Sequence, residues 1–434
     1  YQPIRKQTAN YEAIFSEGRA EFRRHDLSID THTQIVVSPE DDIELRRVRI
    51  TNQSRTRRII EITTYAEVVL APTAADAMHP AFSNLFVQTE IVPELQAILC
   101  TRRPRSVSEQ SLWLLNLMAV HDADVIAVSY ETDRMKFIGR GNSTADPLAL
   151  RDSALLSGSQ GSVLDPIVAI RCRIALAHEQ SATIDIVSGI GESREIALGL
   201  VEKYRDRRLA DRVFELAWTH GQVVLRQINA TETDAQLYGH LANAILYANA
   251  SLRAEASILL KNRRGQSGLW GYAISGDLPI VLLQIGDLAH IDLVRQMVQA
   301  HAYWRLKGLA VDLVIWNEDR AGYRQILQEQ IMGLIAAGIE AHVMDRPGGI
   351  FVRAADQIAS EDRILLRSVA RAIITDTGGT LAEQINRRAP ADVRPPRLTP
   401  TRTDRAEINT AAPAARPDLI YFNGLGGFTA DGRE

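Results

Sequence analysis

One glycine-rich stretch of the chain combines residue types that could bind a sugar. The sequence GLWGYAISGDLP brings Trp270, Tyr272 and Asp277 close together along the chain. Aromatic faces suit the C–H faces of pyranose rings, and a carboxylate accepts hydrogen bonds from vicinal hydroxyls. The alternative is structural: the glycines permit a tight turn, Asp277 caps a helix with Pro279 in its first turn, and the aromatic rings pack inward. We favour the turn as the primary role and keep the three residues as the candidate carbohydrate-binding set.

A second group of polar residues lies where α/β units bind ligands. Asn317, Glu318 and Asp319 follow the apolar run LAVDLVIW, and such units bind ligands at the carboxyl ends of their strands. No glycine-rich phosphate loop follows this run, however, and two predicted strands make a poor crevice. We therefore favour a capping cluster over a ligand site for these three residues.

The remaining motifs argue against several classes of site. The ten histidines show no HExxH or paired metal-ligand spacing, so we predict no metal site. FNGLGGF lacks the GxGxxG order of a dinucleotide site, and no GxSxG motif indicates a serine nucleophile. The loop ADAMHPAFSNLF carries Asp76, His79, Ser83 and Asn84, which could reach a neighbouring domain; an ordered loop with internal hydrogen bonds is favoured. We predict no cofactor and nominate no catalytic residue.

Composition is that of an ordinary globular protein. The chain has 434 residues, is 46% hydrophobic and 24% charged, and its net charge of −4 gives no electrostatic reason to expect nucleic acid. Cys100 and Cys172 form no CxxC motif, which favours buried reduced thiols in a cytoplasmic compartment. LPIVLLQI is far shorter than the ~20 residues of a membrane span, so we expect no direct membrane insertion. The chain starts at Tyr1, and we interpret it as a segment of a longer protein.

The N-terminal part of the chain has the alternation of antiparallel β-structure. In IVAIRCRIAL, Val168, Ile170, Cys172 and Ile174 share one face, as in a half-buried strand. In DIELRRVRI the apolar positions change from odd to even numbers at Arg46–Arg47, which predicts a β-bulge. Further strands are predicted near 12–16, 19–25, 30–38, 58–70, 84–90, 95–102, 111–120, 124–130 and 182–190. Many strands without intervening helices favour a large sandwich.

The periodicity becomes helical after Gly191, with helices predicted near 232–248 and 288–305. From about residue 306 a strand–helix–strand–helix order predicts a small α/β unit. In it, Leu309–Trp316 and Ile350–Arg353 would be neighbouring parallel strands, and Ser360 would cap the last helix. The predicted boundaries are a β-supersandwich over 1–191, linker helices with an incomplete helical region over 192–305, an α/β subdomain over 306–388, a proline-rich linker over 389–417 and the start of a further domain over 418–434.

Several longer stretches carry a resemblance to a known family. They are EVVLAPTAADAMHPAFSNLFVQTE (67–90), FIGRGNS (137–143), LDPIVAIRCRIAL (164–176), GLWGYAISGDLPIVL (268–282), YWRLKGLAVDLVI (303–315) and FNGLGGF (422–428). With these motifs the chain resembles the cyclic β-1,2-glucan synthases, very large bacterial inner-membrane glycosyltransferases. Their C-terminal half is similar to the cellobiose- and chitobiose-type glycoside phosphorylases.

The resemblance implies a multidomain α+β fold, in which an antiparallel β-supersandwich is followed by linker helices, a partial helical region and the small α/β unit. In the phosphorylases the linker helices lead to an (α/α)₆ barrel that carries an acid aspartate in a Trp–Asn–Asp-type stretch. Here WNED, with Glu318 at that position, follows a buried strand, and too few helices follow the linker for a barrel. The resemblance therefore implies a non-catalytic structural and carbohydrate-contacting segment. An active glycoside phosphorylase or glycosyltransferase domain and a dimerisation module remain the alternatives.

The resemblance also implies partners and a location. The parent would polymerise glucose from a nucleotide sugar, cyclise the chain and adjust its length, so the expected partners are β-1,2-glucan and the remaining domains of the same polypeptide. A homodimer is a further possibility, because the related phosphorylases dimerise through the sandwich and linker region. The expected location is the cytoplasmic side of the bacterial inner membrane, as part of a larger membrane protein.

Overall fold

The structure is a computed structural model that describes residues 10–104, 106, 109–247, 249–319, 326–339, 341–387, 418–422 and 426–431. Residues 1–387 and 388–434 are two separate units. The first unit contains a β-sandwich, a set of helices and a parallel sheet, which confirms the predicted α+β class. The proline-rich linker predicted at 389–417 lies outside the described residues.

In the described residues, the N-terminal sandwich has twelve strands in two antiparallel sheets. Its strands are β1 (Asn10–Ser16), β2 (Arg19–Asp26), β3 (Ile29–Val37), β4 (Ile43–Asn52), β5 (Arg58–Thr63), β6 (Ala66–Glu67), β7 (Val87–Val92), β8 (Ala97–Arg102), β9 (Trp113–His121), β10 (Asp124–Asp133), β11 (Pro166–Leu176) and β12 (Ser181–Gly191). Three short helices interrupt them: α1 (Thr73–Met78), α2 (Pro80–Asn84) and α3 (Arg134–Ile138). One sheet has the order β1-β2-β3-β4-β12-β9-β8-β7, and the other has β10-β11-β5 with β6 beside β11.

The strands of the larger sheet from β3 onward are covered on both faces. Alternation along each strand sends every second side chain to the same face. One face packs against the second sheet in a core that includes Ile50, Ile98, Met118, Ile184 and the four predicted β11 residues Val168, Ile170, Cys172 and Ile174. The other face packs against helices α4 (Arg194–Arg205) and α5 (Arg207–Gln227) through residues that include Leu45, Leu99, Leu117 and Val187.

The predicted β-bulge at Arg46–Arg47 is wrong. Strand β4 pairs with β3 and with β12 in a continuous register. Ile43 and Leu45 belong to the core under the helices, whereas Val48 and Ile50 belong to the core between the sheets. The change from odd to even apolar positions therefore marks a strand whose buried face changes along its length, because different layers cover its two ends.

The helices after the sandwich continue with α6 (Glu232–Leu246) and the short α7 (Ala256–Leu259). Helices α4 and α6 start at side-chain caps. Ser193 accepts a hydrogen bond from the N–H of Ile196, and Thr231 and Asp234 form a capping box on α6. Helix α5 spans two cores, because Val213 packs under the sandwich and Leu225 packs with α6. Within the described residues these helices pack on the two sheet systems and do not close into a barrel.

The third part is a four-stranded parallel sheet alternating with helices. Its elements are β13 (Ile280–Ile285), α8 (Ile291–Leu306), β14 (Asp312–Asn317), α9 (Ile326–Ala337), β15 (Ile350–Ala354), α10 (Ser360–Val369), β16 (Ala372–Thr375) and α11 (Leu381–Ile385). The strand order is β15-β14-β13-β16. Leu313 pairs with Ile350 in a parallel ladder, which confirms the two neighbouring parallel strands expected there. One face of the sheet packs against α6, α8 and α9, and the other against α10 and the segment before β13.

Two segments predicted as helix are strands. LPIVLLQI contains β13, so Asp277 does not cap a helix and Pro279 does not lie in a first turn. SEDRILLRSVARAIIT (360–375) has the pattern of the predicted last helix, but the helix ends at Val369 and Ala372–Thr375 form β16. Ser360 is the first residue of α10, and the N-cap position is Ala359. Both runs are short and apolar, and both strands lie between packed layers. Their sequences therefore show neither the two-residue repeat of a strand nor the 3.6-residue repeat of a helix. The predicted domain boundaries stay predictions.

The sandwich and the parallel sheet meet at the turn between β1 and β2. The Tyr303 hydroxyl of α8 donates to Glu17 Oε2 at 2.7 Å, and Lys307 Nζ lies 2.5 Å from Glu17 Oε1. Burial, together with the Glu17 carboxylate, raises the pKa of Tyr303. Gly18 adopts a φ of 74°, and an added Cβ there would lie 3.2 Å from the carbonyl oxygen of Ala217 in α5. The turn thus fits closely against the helices.

In the second unit, the described residues form one small antiparallel hairpin. Its strands are β17 (Leu419–Ile420) and β18 (Phe428–Thr429), and Leu419 pairs with Thr429. Residues 423–425 and 432–434 of the predicted domain start at 418–434 lie outside the described residues. That this hairpin opens a further domain stays a prediction.

Candidate functional site

The candidate sugar-binding stretch folds as a 3₁₀ helix over Gln266–Tyr272 and a turn that leads into β13. Ala273 and Gly276 have left-handed φ angles of 61° and 78°. An added Cβ at Gly276 would lie 2.9 Å from Leu269 Cδ1, so this position needs glycine on both conformational and steric grounds. The glycine turn expected from the sequence is therefore present.

Trp270 and Asp277 lie on one exposed side of this turn. Trp270 is 63% exposed, and its indole Nε1 donates to the carbonyl oxygen of Ser275 at 3.3 Å. Gln266 Nε2 donates to the same oxygen at 2.8 Å and to Asp277 Oδ1 at 2.9 Å. Trp270 and Gln266 thus share the Ser275 carbonyl, and Gln266 links that carbonyl to the Asp277 carboxylate, so one hydrogen-bonded turn carries both the indole and the carboxylate.

Tyr272 points elsewhere. It is half-buried, and its hydroxyl donates to Asp362 Oδ2 at 3.0 Å and accepts from the N–H of Ala359 at 3.3 Å. Burial and the bond to Asp362 raise the pKa of this hydroxyl. The Tyr272 carbonyl accepts a hydrogen bond from Arg353 Nη2 at 2.6 Å. The structure therefore brings two of the three predicted residues together and uses the third to attach the turn to α10.

The carboxyl edge of the parallel sheet has a feature that sequence reasoning missed. Because β13 and β16 are strands, the strand order reverses between them, and such a point is where doubly wound sheets bind ligands. Here Asp376 Oδ2 accepts from the backbone N–H groups of Gly286 at 2.7 Å and Asp287 at 3.1 Å. These are the donors that would hold an anion, so the protein's own carboxylate already takes that position.

The WNED residues at this edge make internal contacts. Asn317 is 9% exposed; its Nδ2 donates to Gln328 Oε1 of α9 at 3.1 Å, and its Oδ1 accepts from the N–H of Asp319 at 2.9 Å. Glu318 Oε1 accepts from Gln284 Nε2 at 3.0 Å. These bonds tie the end of β14 to its neighbours, as the favoured structural interpretation expects.

The sandwich loop at 75–86 is ordered, as expected. It forms α1 and α2, with His79 between them, and Ser83 is buried. Asn84 Nδ2 donates to Asp165 Oδ1 at 3.0 Å, across to the segment before β11. Burial raises the pKa of Asp165, although the charge of Arg134 opposes it. The loop is thus held by its own chain, and its reach to another domain stays a prediction.

Other classes of site can be checked in the described part of the chain. There, no cluster of His, Cys, Asp and Glu side chains is suited to hold a metal ion. No described helix has the length and apolar character needed to cross a membrane. Cys100 and Cys172 are both free and buried, and burial raises their thiol pKa values to about 12 and about 11. Neither thiol is therefore suited to act as a nucleophile.

Comparison with known proteins agrees with the sequence resemblance. Residues 1–207 match the family model for the glycosyl hydrolase 94 supersandwich domain. The chain is 31% identical, over 97% of its length, to the cyclic beta-(1,2)-glucan synthase NdvB of Rhizobium meliloti (strain 1021). It spans 15% of the length of that relative. The predicted resemblance to cyclic β-1,2-glucan synthases is confirmed, as is the predicted supersandwich.

Solved structures share only a distant likeness. A family GH92 alpha-mannosidase from Bacteroides thetaiotaomicron is 10% identical, with 67% of this chain and 35% of that chain covered and a TM-score of 0.20. A putative aldose 1-epimerase from Klebsiella pneumoniae subsp. pneumoniae is 8% identical, with 48% and 58% covered and a TM-score of 0.19. At these TM-scores the likeness carries no argument about this chain.

Proposed function

We propose that this chain is a non-catalytic structural and carbohydrate-contacting segment of a protein that makes cyclic β-1,2-glucan. Its similarity to a glucan synthase over nearly the whole chain supports this proposal. In this proposal, the remaining domains of the parent protein polymerise and cyclise the glucan at the cytoplasmic side of the bacterial inner membrane. This segment braces those domains and guides the product.

The exposed indole of Trp270 is the observation that carries the carbohydrate contact. Its N–H group is already bonded to Ser275, so only the apolar ring faces remain available to a ligand. A pyranose offers apolar C–H faces and hydroxyl groups side by side, and the adjacent Asp277 carboxylate can accept from those hydroxyls. Tyr272 supports the same surface indirectly by attaching the turn to α10, so of the three predicted residues Trp270 and Asp277 are the proposed ligand contacts.

We expect weak, millimolar binding of β-1,2-linked gluco-oligosaccharides at this surface, and Trp270→Ala should weaken it about fivefold, because losing a stacked aromatic face removes on the order of 1 kcal/mol. Calorimetric titration of the purified chain measures this. Trp218→Ala is the matched control, because Trp218 of α5 is 61% exposed and lies outside the turn. Absence of saturable binding at millimolar sugar, or equal losses in the two variants, would contradict the carbohydrate contact.

The rival function, phosphorolysis or hydrolysis of glucosides, requires two groups on opposite sides of one glycosidic bond. Glycosidase carboxylates lie roughly 5–10 Å apart. Asp277 precedes β13 and Glu318 follows β14, and these strands pair in parallel from Ile280↔Asp312 to Ile285↔Asn317. At about 3.3 Å per residue, the two carboxylates are separated by roughly 20 Å, the length of the sheet. They therefore do not form a catalytic pair.

We expect the chain to release no glucose 1-phosphate from linear β-1,2-glucan in phosphate buffer, because the two nominated carboxylates, Asp277 and Glu318, lie at opposite ends of the paired strands and cannot act on one glycosidic bond. The phosphorylase-like C-terminal half of the parent serves as the positive control. Turnover by the purified chain that disappears in Asp277→Asn or Glu318→Gln would show that the segment is catalytic.

A further inference from the structure

The sandwich contains a cleft that plays no part in the Trp270 surface. At one end of the sandwich the two sheets enclose a cavity of about 470 Å³. Small-molecule pockets have volumes of about 300–1,000 Å³, so this cavity has the size of a ligand site. Its walls come from β4, β9 and β12 of the larger sheet, and from β5, β11, α3 and the loop after α3 on the other side.

Three adjacent strands present polar side chains to the cleft at the same level. Ser188 of β12 pairs with Asn116 of β9 on one side and with Glu44 of β4 on the other. Further along the same faces, the inward residues of these strands are the apolar Ile184, Met118 and Ile50 of the core between the sheets. The inner face of the larger sheet therefore changes from apolar to polar where the cleft begins.

Asn116 is the buried polar group of this floor. It is 2% exposed, its Nδ2 donates to Ser188 Oγ at 2.9 Å, and its Oδ1 has no hydrogen-bond partner. A buried polar group without a partner costs on the order of 1–3 kcal/mol. If the side-chain amide were rotated by 180°, its NH₂ group would lack a hydrogen-bond partner instead of its oxygen. Asn116 lines the cleft, so a ligand hydroxyl group that reaches the unpaired amide atom would complete its hydrogen bonding in either orientation.

The charges and surfaces around this floor suit a neutral ligand. Among the described residues that line the cleft, Arg46 and Glu44 are the charged ones, and they pair with each other at 2.8 Å. Arg46 is therefore neutralised by Glu44, and the described lining residues offer no unpaired positive charge to an anion. Thr63 and Thr64 line the cleft beside apolar surface, to which Val48, Ile62, Val168 and Ile186 contribute. Alternating hydroxyl and C–H groups are the surface chemistry of a sugar ring.

We propose that this cleft binds a neutral saccharide, with a sugar hydroxyl hydrogen-bonded to Asn116 and Ser188 and the ring C–H groups against the apolar walls. The site is separate from the Trp270 turn, which lies beside the parallel sheet, and neither site depends on the other. The chain would then contact a glucan at two places, one on the sandwich and one on the α/β unit.

The test is calorimetric titration with a β-1,2-linked glucose disaccharide, using the full chain with Trp270→Ala in the background to remove the surface contact. Saturable binding should persist in this background. Adding Asn116→Leu and Ser188→Ala should weaken that binding at least about tenfold, because the sugar loses its buried hydrogen bonds. Thermal stability should be unchanged or higher, because the unpaired buried acceptor is replaced by an apolar side chain of similar size.

A second variant fills the cleft from its mouth without changing the floor. Leu150 lines the cleft and is 45% exposed, so Leu150→Trp should block binding in a folded protein. Leu148→Trp is the matched control, because Leu148 is 48% exposed on the same turn and does not line the cleft. No disaccharide binding in the Trp270→Ala background overturns the cleft site while leaving the proposed function intact. The cleft site is also overturned if binding is unchanged by Leu150→Trp, or by Asn116→Leu combined with Ser188→Ala.

Discussion

Replacing Arg47 by methionine should lower the free energy of unfolding by about 3–5 kcal/mol, because it leaves a buried carboxylate without its partner. The Asp185 side chain is fully buried, and Arg47 binds both of its oxygens, with Nε at 2.7 Å from Oδ1 and Nη2 at 2.8 Å from Oδ2. Arg47 also binds Asp211 of α5 and lies over the Phe214 ring, so the same side chain joins the sheet to the helix.

The neighbouring arginine is the control for this substitution. Arg46 is 47% exposed and pairs with Glu44, which is 41% exposed, so Arg46→Met should change stability by no more than about 1 kcal/mol. Arg47→Met combined with Asp185→Leu should recover much of the loss, because no buried charge then remains. Denaturant titration at pH 7 measures all three proteins. Equal losses for Arg46→Met and Arg47→Met would contradict this role of the buried pair.

The Arg47–Asp185 pair also predicts how the stability difference between wild type and Arg47→Met depends on pH. Burial alone would raise the pKa of Asp185, but hydrogen bonds and the charges of Arg47 and His121 outweigh it, so the pKa lies below its usual value. A carboxyl with a lowered pKa in the folded state stabilises the protein above the unfolded pKa of about 4. This stabilisation is lost as the pH falls through the lower folded pKa. The stability difference between wild type and Arg47→Met should therefore be largest near neutral pH and shrink below about pH 4.

The strand β4 shows what the sequence can and cannot predict. The alternation of apolar and polar residues predicts that β4 is a strand, because successive side chains of a strand point to opposite faces of the sheet. Alternation does not reveal that helices cover one end of β4 and a second sheet covers the other, so the change at Arg46–Arg47 has the same pattern as a bulge. The same limit applies to β13 and β16, whose short apolar runs fit a buried helix or a buried strand equally well.

The contacts of the candidate site also lie beyond what local sequence patterns can predict. The glycines and aromatic residues at 265–277 were sufficient to predict a turn that could present a ring. The separation of Tyr272 from Trp270 depends on Asp362, which lies in a helix far along the chain. The polar floor of the cleft needs the register of three strands, since Glu44, Asn116 and Ser188 are adjacent only in the folded sheet. Local patterns contain none of these long-range pairings.

The second large effect is expected in the core of the α/β unit. Trp304 of α8 is 1% exposed, and its indole Nε1 donates to the carbonyl oxygen of Tyr238 in α6 at 2.8 Å. Trp304→Ala removes the largest side chain type from this core and should lower the free energy of unfolding by about 3–5 kcal/mol. Trp218→Ala makes the same chemical change on an exposed side chain and should stay within about 0.5 kcal/mol.

The two destabilising variants together test whether the sandwich and the parallel sheet unfold as one unit. Helix α5 is continuous and contributes Val213 to the core under the sandwich and Leu225 to the core of the α/β unit. The Glu17 contacts with Tyr303 and Lys307 join the same two parts. Since unfolding either part would break that helix and those contacts, we expect Arg47→Met and Trp304→Ala to lower one shared transition in calorimetric scans. Two resolved transitions, each lowered by one variant alone, would instead support a domain boundary between residues 191 and 306.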